Sequence, residues 1–127
     1  MRKLALILII CAVIPAASVA LYPVNCHLKE SAFQARTEQL RRDAHLRLKV
    51  GTNKEEVIRF FSENGLRTSS DASTLAGFIF MSRGCGRGLG CSIGPDGGEI
   101  AVIVTLDALG TVISEPVVRN KYSGDCS

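Results

Sequence analysis

The sequence predicts an α+β domain, with two N-terminal helices packed on a three-stranded antiparallel β-meander. Three observations carry that reading. Glu99-Ile-Ala-Val-Ile-Val-Thr-Leu106 sets Ile100, Val102, Val104 and Leu106 on one face and Ala101, Ile103 and Thr105 on the other. Asp107-Ala-Leu-Gly110 breaks the run, and Thr111–Val118 resumes a β-branched, extended pattern. Two such runs joined by four residues that include a Gly read as a hairpin. Upstream, Leu28–Val50 lacks Pro and Gly and places Phe33, Thr37, Leu40, Ala44 and Leu48 at helical spacing. An isolated hairpin is marginal in water, and Leu75–Ser82 supplies a third apolar strand.

The chain begins with a different kind of segment. Met1-Arg-Lys3 precedes the uncharged run Leu4–Ile14, Pro15 ends that run, and Ser18-Val-Ala20 offers small residues at the positions a signal peptidase reads. Residues 1–20 are therefore expected to be a signal peptide cleaved between Ala20 and Leu21, with Ala17 a second-choice site. The competing reading is an uncleaved membrane anchor over residues 4–24, since about 20 apolar residues span a bilayer. Basic residues before the segment keep the N-terminus inside and send the domain outside in both cases. Cys11 follows Ile10, which is not small, and is a poor lipid-attachment site. The expected location is exported: periplasmic or extracellular, cleaved or anchored.

Residues 21–27 read as a linker with Pro23 and Asn25, and 28–127 as one domain. The first helix, Leu28–Val50, carries its apolar stripe with Ala32 widening it. Its polar face is mostly basic, with Lys29, Arg36, Arg41, Arg42, Arg47 and Lys49 against Glu30, Glu38 and Asp43. A solvated face is the plain reading, and contact with anionic lipid head groups near an anchor the sharper one. Gly51 is expected at C′. Asn53 with Glu56, or Thr52 with Glu55, caps a second helix over Asn53–Asn64. Val57, Ile58, Phe60 and Phe61 form its apolar face, and Leu66 folds back after Asn64-Gly65. Arg67–Thr74 reads as a polar loop. Leu75–Ser82 is apolar on both faces, which suits a central strand or one under helices. The expected core is Phe33, Leu40, Ala44, Leu48, Val57, Phe61, Phe78, Phe80, Ile100, Val102, Val104 and Leu106.

Arg83–Gly98 is compositionally unlike the rest, with seven Gly in sixteen residues. Cys85 and Cys91 bracket five residues inside it, while Cys26 and Cys126 flank the domain. Four cysteines allow three pairings, of which Cys85–Cys91 and Cys26–Cys126 suit the spacing best, and buried free thiols are the alternative to pairing. In the loop-entropy account the short bridge contributes about 2.4 kcal/mol and the long one about 4.7 kcal/mol. Arg83 and Arg87 among exposed Gly amides make this a candidate contact loop or anion nest. Otherwise it is a stapled connection between strands. Residues Arg119–Ser127 read as a polar tail.

Composition and spacing exclude several functions. Without Arg2 and Lys3 the charges nearly balance, 13 basic against 12 acidic, and there is no Trp. Nucleic-acid binding is not expected. No Gly-Lys-Ser/Thr follows the Gly-rich segment and no helix starts there, so it is not a nucleotide loop. His27 beside Cys26 lacks a second cluster at zinc spacing, and His45 sits among charges. Cys85 and Cys91 are too far apart for a thiol oxidoreductase pair. No Gly-x-Ser-x-Gly or His-Glu-x-x-His occurs. The expectation is a non-enzyme without cofactor or metal.

Val50-Gly-Thr-Asn-Lys-Glu-Glu-Val57 resembles the Gly-Met-Ser/Thr-x-x-Glu/Gln-Val signature of the SmpA/OmlA (BamE-like) small bacterial envelope domains. Gly51, Asn53, Glu56 and Val57 match its Gly, capping, acidic and buried positions, and Leu106-Asp-Ala-Leu-Gly-Thr-Val112 resembles its strand–Asp–Gly–Val hairpin. The resemblance implies two helices before a three-stranded antiparallel sheet. The function expected is a non-catalytic, disulfide-stabilised interaction module of the cell envelope with a protein partner or peptidoglycan-associated machinery. The alternative is a secreted inhibitor-type protein acting through the Gly/Cys loop 83–98.

Overall fold

The computed structural model describes residues 27–82 and 97–123. The elements run α1 (27–47), α2 (Lys54–Glu63), β1 (Arg67–Ser70), β2 (Thr74–Ser82), β3 (Gly97–Thr105) and β4 (Val117–Ser123). The class is α+β as expected, but the antiparallel sheet has four strands in the order β1-β2-β3-β4, not three.

The stripe on α1 is buried at every predicted position: Phe33, Thr37, Leu40, Ala44 and Leu48. Ala32 is exposed, so the stripe is narrower than expected. Thr37 satisfies its buried hydroxyl by donating to the Phe33 carbonyl at 3.0 Å. The helix stops at residue 47, before Val50. Gly51 donates to the Val112 carbonyl and Val112 to the Thr52 carbonyl, each at 2.8 Å. This pairing draws the chain out of helical geometry, and Gly51 takes its positive φ of 95° in the turn beyond the helix rather than at C′.

Asn53 caps α2, its side chain accepting from the Glu56 amide at 2.9 Å. The Glu56 carboxylate itself meets Arg47 at 2.7 Å and also Arg59. Val57, Phe60 and Phe61 at i, i+3 and i+4 are buried. Ile58, expected on this face, lies outside the stripe and is exposed. Leu66 folds back as anticipated, donating to the Phe61 carbonyl at 2.8 Å and burying its side chain. Arg36 of α1 donates to the Asn64 carbonyl at 2.8 Å, and Arg47 reaches Glu56 and Glu63 while lying 5.3 Å from the Phe60 ring centre. Arg36 of α1 thus meets the end of α2, and Arg47, the last residue of α1, lies against the middle of α2.

β1 occupies part of the segment expected to be loop, pairing Arg67–Ser70 with Phe78–Leu75. Its side chains are all exposed. The third strand of the expected meander is also displaced. Asp107–Gly110 does form the turn, with the Asp107 carboxylate accepting from the Leu109 and Thr111 amides at 2.9 and 2.8 Å, and Gly110 at φ 77°. The returning chain makes the isolated bridge Leu106–Val112 and one bond from the Ile113 amide to the Thr105 carbonyl before diverging, and regular pairing begins at Val117 and runs to Ser123. Much of the predicted tail is therefore strand, and Gly97 and Gly98 belong to β3 rather than to the Gly-rich connection.

One face of the sheet meets the helices. Leu75, Ile100, Val102, Val104, Leu106 and Val112 join the helical residues in one core, with Ile79, Met81 and Val118 at its margin. Close approach is possible because two strand positions lack a Cβ. One at Gly98 would lie 2.5 Å from the Phe33 ring, and one at Gly77 would lie 2.8 Å from the Phe61 ring. Phe33 sits over the start of β3, while the chain after α1 pairs with Val112 near its end. So α1 runs alongside β3 in the same direction.

Candidate functional site

Strand alternation puts a second set of residues on the opposite face. The register defines three rows: Phe80–Glu99–Lys121, then Arg67–Phe78–Ala101–Arg119, then Ser69–Ala76–Ile103–Val117. Ile113, whose amide donates to the Thr105 carbonyl at 3.1 Å, extends the face beyond the third row. No helix among the described residues covers this side. Phe80 is 58% exposed, Ile113 52% and Val117 45%; Phe78, Ala76 and Ile103 are half-buried by their neighbours.

This corrects the expected core. Phe78 and Phe80, expected in the core, point away from the helices, although their strand does hold the expected central position. The core side of β2 is taken by Leu75, Gly77, Ile79 and Met81, because only Gly77 makes room for Phe61. Phe80 instead lies across Gly97, where an added Cβ would collide with its ring. A ring laid over a strand glycine shields backbone that would otherwise face water. The packing fixes Phe80 in place while leaving much of it solvent-facing.

β1 begins opposite Phe78, so β2 continues past it without a neighbour on that side among the described strands. The step leaves a recess of about 630 Å³, lined by Gly65, Arg67, Phe78, Ile79, Phe80 and Glu99. Arg67, Arg119 and Lys121 stand exposed around the apolar band and have no ion pair among the described residues. The basic residues of the helical side are mixed in this respect: Lys29, Arg42 and Lys49 also have no ion pair among the described residues. Arg36, Arg41 and Arg47 are engaged by Asn64, Glu38 and the two α2 glutamates.

Among the described residues, no group of His, Cys, Asp or Glu is placed to hold a metal, and no buried side-chain nitrogen or oxygen lacks a partner. His27 and His45 are exposed. No described helix is long and apolar enough to cross a membrane. Cys26, Cys85, Cys91, Cys126, Arg83, Arg87, Ala20, Leu21 and the 4–24 segment lie outside the described residues. The residues adjoining the cysteine-bearing segments are described, however, and they converge. Ser82 pairs with Gly97 and Gly97 with Ser123, and α1 enters beside Gly98 through Phe33. Both ends of segment 83–96, the exit toward Cys126 and the helix that follows Cys26 are thus gathered at one end of the sheet.

The open face was not found from sequence. Its polar members fell in a segment read as loop (Arg67) and another read as tail (Arg119, Lys121). The available signal was the alternation Val117-x-Arg119-x-Lys121 and the opposite parity of Phe78 and Phe80 to Gly77. Comparison with protein-family models, with curated proteins and with solved structures finds no match.

Proposed function

We propose that the chain is a non-catalytic, exported interaction module that binds a protein partner of the cell envelope across the uncovered face of its sheet. The observation that carries this reading is the apolar band from Phe80 through Phe78 and Ile103 to Val117 and Ile113, which no described helix covers. Contiguous exposed apolar surface of this kind marks interaction sites, and a ring held over Gly97 loses little freedom on binding. A photoreactive residue placed at Phe80 or Val117 in export-competent cells is expected to give a discrete protein adduct. The same residue at Arg42 or Ile58 on the helices is expected to give none. Adducts confined to the helix positions would refute the assignment.

Export and disulfide pairing belong to the same proposal. The charged start and apolar run of residues 1–20 support the first. The second is supported by the convergence of Ser82, Gly97, Ser123 and the start of α1, which shortens the span each bridge has to cross. Alkylation of the unreduced, denatured exported protein is expected to leave Cys26, Cys85, Cys91 and Cys126 unmodified, and reduction to expose all four. Four modified thiols before reduction would remove the pairing. The inhibitor reading draws on one observation: segment 83–96 starts and ends beside the Phe80 row. Release of the folded chain into the medium, rather than retention with the envelope, would favour it.

A further inference from the structure

The face that no described helix covers is edged by basic side chains. Arg67 stands at its β1 side, Arg119 and Lys121 along β4, and each is free of ion pairs among the described residues. Within the paired rows of the described strands one carboxylate, Glu99, interrupts the band between Phe80 and Lys121. Resting on the reading that this face binds a protein, we propose that the partner presents an acidic, extended segment with a leucine- or phenylalanine-sized side chain between carboxylates.

The geometry specifies the spacing. Arg67 and Arg119 share one row at opposite edges of the sheet. Neighbouring strands lie roughly 4.8 Å apart, so the two backbones are about 14 Å apart. An extended chain covers about 3.3 Å per residue, so carboxylates some four residues apart would meet both cations. The apolar side chain between them enters the recess beside Phe78 and Phe80. Oppositely charged groups around an apolar centre steer encounter and fix register.

Two other occupants fit less well. A second copy in face-to-face contact would bring a face with three cations and one carboxylate against its like, and like-charge juxtaposition is unfavourable. A continuous anionic lipid surface would lay phosphates over Glu99 and leave the recess unfilled. Glu99 thus selects for separated carboxylates over an unbroken sheet of negative charge.

The test selects random dodecapeptides displayed on phage against the full chain. Enrichment of Leu or Phe flanked by Asp or Glu is expected, with binding at least tenfold weaker for R67E/R119E/K121E and tenfold weaker for Phe80→Ser and Val117→Ser. Selection against the charge-reversed chain is expected to enrich Lys and Arg at the flanking positions. Far-UV melting curves establish that each variant folds, and Phe80→Leu, which retains an apolar group over Gly97, is expected to keep most of the binding. Peptides with no acidic bias that are nevertheless lost on Phe80→Ser would overturn the acidic partner and leave the face assignment standing. Peptides indifferent to both Phe80→Ser and Val117→Ser would overturn both. Phosphatidylglycerol vesicles bound in place of any peptide would assign the face to a membrane. Concentration-dependent dimerisation abolished by Phe80→Ser would assign it to a second copy. Either result overturns the proposal.

Discussion

Phe61→Ala is expected to lower the stability of the domain by about 3–5 kcal/mol, as truncation of a buried Phe does. The ring is fully buried and packs edge-on against Phe60, with centroids 6.2 Å apart at 62°. It also lies against the backbone of β2 at Gly77, which has no side chain to move into the vacated space. Leu66, whose Cβ also borders Gly77, is held by its own hydrogen bond to residue 61. Collapse around the cavity is therefore restricted, which places the loss toward the upper part of the range. Domains of this size have net stabilities of about 5–15 kcal/mol, so a large fraction is at stake. Urea unfolding should show the midpoint falling with the slope unchanged. Ile58→Ala, on the exposed side of the same helix, is expected to shift stability by no more than about 0.5 kcal/mol. A Phe61 variant no worse than the Ile58 control would mean that α2 is not docked on the sheet as described.

Gly98→Val addresses the other helix. A Cβ at this position would sit 2.5 Å from the Phe33 ring, closer than side-chain carbons approach one another. Phe33 is fully buried and cannot swing into solvent, so either α1 lifts from β3 or the strand distorts. Overpacking of this kind costs about 1–3 kcal/mol, occasionally more. The distinguishing measurement is a double-mutant cycle with Phe33→Leu. The smaller side chain alone creates a void and destabilises; combined with Gly98→Val, the added carbon atoms enter that void. The double variant should be more stable than the sum of the single losses by at least about 1 kcal/mol, as coupled neighbours show. Strict additivity would separate the two residues and undo the alignment of α1 with β3.

These contacts also show what could be read from the chain and what could not. The α1 stripe and the alternation of Ile100, Val102, Val104 and Leu106 were legible because each buries a full period of apolar residues against one neighbour. The Asn53 cap was legible because its chemistry is local. β1 was not: Arg67-Thr-Ser-Ser70 buries nothing, and only pairing with β2 makes it a strand. The unbroken apolar run of β2 concealed which parity faces the helices. That choice depended on Phe61 meeting Gly77, a contact between residues distant in sequence. The candidate site was illegible for the same reason, since Arg67, Phe80 and Arg119 become neighbours only through the register of four strands.

The two helices close the core from one side of the sheet. Ile100, Val102 and Val104 hold the domain together, while Glu99 and Ile103 on the same strand look outward. Folding and recognition are therefore written on alternate letters of a single strand. Solvent-facing letters can drift toward new targets without disturbing the packed ones, leaving the scaffold free to diversify in specificity at little thermodynamic risk.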